Sequence, residues 1–155
     1  AANVLDAGCG TGYGSRILAE AGASHVLGVD IDPLSVSFAR RRYRDSTLDF
    51  QRANCQDLVV PRTHFDLVFA SNVLEHLERP DLFVSTAFEA LRPGGHALFG
   101  LATGTLLVTQ RGPRGARCGA LAGGSLETTT SAAVETKKST QANIDLQTPI
   151  YAGSE

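Results

Sequence analysis

The run Val4-Leu5-Asp6-Ala7-Gly8-Cys9-Gly10-Thr11-Gly12 places an acidic residue and three alternating glycines between an apolar segment and a helical one. Glycines lacking Cβ atoms let a backbone press close to a ligand and take dihedrals closed to other residues. The helix start beyond them offers free N–H groups. Asp30 follows Gly8 by 22 positions, near the spacing of about 20 at which an acid ending a second strand reaches ribose hydroxyls. The chemistry on offer is that of a nucleoside cradle.

The glycine order separates two kinds of nucleoside ligand. A dinucleotide fingerprint, G-x-G-x-x-G, would put its third glycine at position 13, where the chain has Tyr13. A ligand carrying a sulfonium and an amine in place of a pyrophosphate suits an acid such as Asp6 beside the loop. That description fits S-adenosylmethionine (SAM) better than a nicotinamide dinucleotide.

The elements needed to hold these residues are legible. Asn3–Leu5 reads as a strand stopping at Asp6, and from Tyr13 to Ala21 the apolar Tyr13, Ile17, Leu18 and Ala21 fall on one helical face. Gly22 suits a helix C-terminus. His25–Val29 predicts a second strand ending at Asp30, and Asp32-Pro33 a helix start with a capping carboxylate and proline at the first position. That helix runs to about Tyr43. Leu48–Arg52, Phe65–Ser71 and Ala97–Leu101 predict further strands, with a helix over Asp81–Leu91 stopped by Arg92-Pro93-Gly94-Gly95. Strands alternating with helices imply crossovers and a parallel sheet.

Composition narrows the rest. The chain has 155 residues, enough for one ordinary domain, 43% of them hydrophobic. A net charge of −2 gives no reason to expect nucleic acid as a partner. Cys9, Cys55 and Cys118 are odd in number and lack metal-ligand spacing, so a reduced, cytoplasmic setting without a metal site is expected. No stretch approaches the length of a membrane span. The chain opens on Ala1, almost inside a strand, and reads as a piece of a longer protein. Residues 104–155 are rich in Gly, Thr, Ser and Ala with Tyr151 their single aromatic; Leu106–Val108 suggests a short strand, but 111–143 lacks sustained apolar periodicity. The expected division is a binding domain over 1–103 and a low-complexity, poorly ordered tail over 104–155.

Taken in order, VLDAGCGTG, VLGVDIDP, FDLVFASNVLEHL and LRPGG resemble the class I SAM-dependent methyltransferases, in particular small-molecule enzymes of ubiquinone and menaquinone biosynthesis. The resemblance covers residues 2–101. It implies an α/β, Rossmann-like parallel sheet with helices on both faces, SAM as cofactor and a small-molecule methyl acceptor. It also implies site residues: Asp6, Gly8, Cys9 and Gly10 around the methionine end, Gly12 shaping the turn, and Asp30 on the ribose diol. Ile31 would pack on the adenine, Asn54 and the Cys55 backbone N–H would face its edge, and Ser71 and Asn72 would line the transfer cleft. Glu75 and His76 are the candidates for a general base. Ordinary readings compete: a solvated strand end for Asp30, a turn for Asn54, a packed residue for His76, and a solvated helix face for Arg40–Arg42. A complete fold of this kind continues past the fifth strand with a helix and further strands. Here the sheet is expected to be incomplete there, with an exposed edge and an acceptor pocket partly unbuilt.

Overall fold

The computed structural model describes residues 2–101, 104–110, 116–122 and 125–128. Five strands come first: β1 (Ala2–Ala7), β2 (Ala23–Asp30), β3 (Leu48–Arg52), β4 (Phe65–Ser71) and β5 (Leu91–Leu101). Three helices connect them: α1 (Tyr13–Glu20), α2 (Pro33–Arg42) and α3 (Pro80–Ala90). The five strands pair in parallel in the order β3-β2-β1-β4-β5. That is the α/β architecture expected from the alternation of patterns.

Strand register sorts the side chains into two faces. On one face Leu5 pairs with Leu27 and Val68, and Val68 with Ala97; this row joins Phe99 and the α3 residues Phe83, Val84, Ala87 and Phe88 in the larger core. On the other face Asp6 pairs with Gly28, and Gly28 with Phe50. There Phe50 packs with Val36 and Ala39 of α2 and with Cys9. Helices therefore cover both faces.

Local rules explain the helix ends. Asp32 caps α2, its carboxylate accepting from the Leu34 and Ser35 amides at 3.1 and 3.0 Å, with Pro33 at the first helical position. Gly22 closes α1 with φ +100°, a left-handed conformation that costs glycine little. The apolar pattern misassigned the inward face of α1, however. Tyr13 and Ile17 are 63% and 46% exposed, while Ser15 is the buried residue of that helix.

The chain beyond β5 departs in part from expectation. Residues β6 (Gly104–Gln110), β7 (Ala116–Ala122) and β8 (Ser125–Thr128) extend the sheet as successive antiparallel pairs, so β5 is not the sheet's edge. The short strand expected over Leu106–Val108 falls within β6, and antiparallel pairing satisfies the backbone of the Thr- and Gly-rich segment around it. Val108 is 2% exposed and belongs to the larger core. Among the described residues no helix follows β5. The rest of the expected tail lies outside the described residues.

Candidate functional site

At the carboxyl ends of the parallel strands, where doubly wound sheets bind ligands, the β1–α1 loop and the end of β2 meet. The Gly8 and Cys9 amides both donate to the Val29 carbonyl, at 2.8 and 3.0 Å. The Gly10 amide donates to Asp30 Oδ2 at 2.8 Å, and the Asp32 amide to Asp30 Oδ1 at 2.9 Å. One carboxylate thus ties the glycine loop to the turn that starts α2. It keeps unshared lone pairs, since an ionised carboxylate offers about four acceptor sites.

The three loop glycines all have positive φ, at +74°, +52° and +84° for Gly8, Gly10 and Gly12, yet their surroundings differ. A Cβ on Gly8 would stand 2.3 Å from Val73 Cγ2, and one on Gly12 2.8 Å from the Phe50 ring. Those two are bare because the protein itself packs against them. A Cβ on Gly10 would meet nothing within 4 Å. Gly10 alone opens onto free space, beside Asp30. A nucleoside can approach there, and the cradle fits an adenosyl ligand.

Asp6, expected around the methionine end, lies near the end of β1 just before the glycine loop. It is 3% exposed and turned beneath α1, accepting from the Ser15 hydroxyl at 2.6 Å. Burial pushes its carboxyl up to about 6; the Ser15 hydrogen bond pulls it down and the Asp30 charge adds to the rise. Cys9 and Cys55 are buried free thiols. Burial, with Asp6 next in order for Cys9 and Asp30 for Cys55, raises them to about 12 and about 11. Both remain protonated and unreactive near neutral pH.

The remaining candidates lie around the same strand ends. Ile31 is 58% exposed directly after Asp30. Asn54 caps a 3-10 turn over Cys55–Asp57, its side-chain oxygen accepting from the Gln56 amide at 3.0 Å, so the turn-forming role is present in the geometry. The Ala53 amide donates to the Asp30 carbonyl at 3.0 Å, which holds this turn against the end of β2. Ser71 ends β4 exposed, next to Gly100, whose missing Cβ would lie 3.0 Å from Ser71 Oγ. Asn72 takes φ +54° and its amide donates to the Gly100 carbonyl at 2.8 Å. That left-handed turn carries the chain to Val73 under Gly8. Glu75 and His76 sit exposed in a 3-10 turn over Leu74–His76. Ser15, Val73 and Phe50 escaped the reading of the sequence. Only the tertiary contacts with Asp6, Gly8 and Gly12 mark them.

A methyltransferase-domain family model matches residues 5–99. The chain belongs to that family. A probable SAM-dependent methyltransferase of Mycolicibacterium smegmatis is 41% identical over 93 residues, 60% of this chain and 35% of the relative. A ubiquinone biosynthesis O-methyltransferase of Cereibacter sphaeroides is 35% identical over 94 residues, covering 59% of this chain and 38% of the relative. The crystal structure of a SAM-dependent methyltransferase from Mesorhizobium loti superposes with a TM-score of 0.61 at 36% identity, over 63% of this chain and 45% of that one. The chain therefore spans less than half the length of each of these relatives. Among the described residues no helix is long and apolar enough to cross a membrane.

Proposed function

We propose that this chain is the cofactor-binding part of a SAM-dependent methyltransferase acting on a small-molecule acceptor. The observation that carries the reading is the junction of an open Gly10 with the Asp30 carboxylate, 2.8 Å from the Gly10 amide. In this reading Asp30 accepts from the ribose diol with its remaining lone pairs, and Ile31 lies against the adenine. Asn54 and Cys55 border the base, Gly8, Cys9, Gly10 and Gly12 form the loop under the methionine end, and Ser71 and Asn72 line the transfer cleft. Residues 2–101 together with β6, whose Val108 joins the larger core, form the binding unit.

SAM supplies a methyl group already activated on a sulfonium, so the chain's residues need only bind, orient and exclude water. An oxygen acceptor would need a base, for which the exposed His76 is the candidate. The buried free thiols fit a reduced cytoplasmic setting.

Calorimetric titration of SAM tests the reading: Asp30→Ala should abolish measurable binding while leaving the fold intact by circular dichroism. Undiminished affinity in that variant would refute the assignment. The alternative reading is a SAM-binding module without turnover. Incubation with candidate small-molecule acceptors decides between them, because only the enzyme converts SAM to S-adenosylhomocysteine.

A further inference from the structure

The loop's chemistry does not explain why a carboxylate is buried beneath α1. Asp6 is 3% exposed and Ser15, its hydrogen-bond donor at 2.6 Å, is 0% exposed. Space around them is tight. A Cβ on Gly28 would come within 2.9 Å of Ser15 Oγ, and one on Gly14 within 3.4 Å of Asp6 Oδ2. The hydroxyl is held where it is. The first turn of α1 has no acidic side chain of its own, and Gly12 provides no side-chain cap. Asp6 is thus the carboxylate fastened to that turn, on the side favoured by the helix dipole.

The titratable groups that act on Asp6 or are acted on by it are Asp30 from β2, Cys9 from the loop and Cys55 from the turn after β3. None of these is a cation. Among the described residues the side-chain hydrogen bond to this carboxylate is the one from Ser15.

We infer that Ser15 is a positioning residue for the cofactor: its hydroxyl fixes the Asp6 carboxylate as an anion beneath the glycine loop, and through it the loop's affinity for a cationic nucleoside. The inference rests on the proposed binding of SAM. The Ser15 hydrogen bond lowers the carboxyl where burial and Asp30 raise it, so its loss leaves Asp6 more readily protonated. Binding of a sulfonium then has to drive a proton from Asp6 into solvent.

Two measurements on the whole chain test this. In the ligand-free protein, the carboxyl carbon of Asp6 followed by NMR should titrate at higher pH in Ser15→Ala than in the wild type. Calorimetry with SAM from pH 5 to 9 should show wild-type affinity roughly tenfold weaker at pH 5 than at pH 8. Ser15→Ala should bind several-fold more weakly at pH 7 and approach the wild type at pH 9. An Asp6 titration unmoved by Ser15→Ala, or a loss of affinity equal at every pH, would overturn the inference. If Asp30→Ala abolishes binding while Ser15→Ala leaves the profile unchanged, the SAM reading stands and this one fails; a wild type that never binds SAM sinks both.

Discussion

An alanine methyl at position 8 would collide with Val73, whereas one at position 10 would enter open space. The same substitution therefore has different consequences two residues apart. Gly8→Ala adds a clash to an unfavourable φ of +74° and should destabilise the fold by more than about 2 kcal/mol. Gly10→Ala has only the backbone strain of a left-handed residue, about 1–2 kcal/mol, and should fold while losing SAM affinity. Urea unfolding and calorimetry on the two variants check this; equal stability of both would mean that Val73 does not set the requirement at Gly8. The glycines were visible in the sequence as a loop, but the reason for each one was not. The pattern G-x-G-x-G gives no sign of whether a missing Cβ makes room for a ligand, for Val73 or for Phe50.

At the level of single elements, α2 was the most legible. Its start combines a capping carboxylate with a proline at the first position, both local signals, and the structure has both. Asp32→Ala should lower stability by about 1 kcal/mol with SAM binding retained, because the bond between Asp30 and Gly10 does not involve that side chain; loss of binding in this variant would show that the cap also organises the site. α1 was the least legible. Its apolar residues suggested an inward face containing Tyr13 and Ile17, but the sheet beneath it presents Asp6 and Gly28 in one row with Phe50. That row leaves space for a small hydroxyl and supplies a carboxylate for it to bond, so Ser15 turns inward. Periodicity measures the polarity of a helix, whereas burial depends on the surface it meets.

For the molecule as a whole, the buried carboxylate couples stability to pH. The Asp6 carboxyl is raised from 3.8 to about 6 in the folded chain, so the folded state holds this proton more tightly than the unfolded one. The resulting stability is fully present below about pH 4 and is lost as pH rises through about 6, on the order of 3 kcal/mol from this group. Asp6→Asn should remove that fall, and the ligand-free variant should unfold at higher urea than the wild type at pH 8, while binding SAM more weakly. A wild-type urea midpoint with the same pH dependence as Asp6→Asn would count against it. The molecule accepts an unfavourable buried anion beneath α1.

Local sequence determined the alternation of strands and helices, the cap of α2, the glycine loop and the acid at the end of β2, because each depends on residues close together in the chain. The family could be recognised for the same reason: its motifs are short segments in a fixed order. Tertiary structure alone decided that Gly10 and not Gly8 faces open space, that Asp6 lies beneath α1 bonded to Ser15, and that the chain after β5 returns as antiparallel strands with Val108 in the core. Those outcomes depend on which surfaces meet across the sheet, and contacts between residues distant in sequence leave no periodic trace along it.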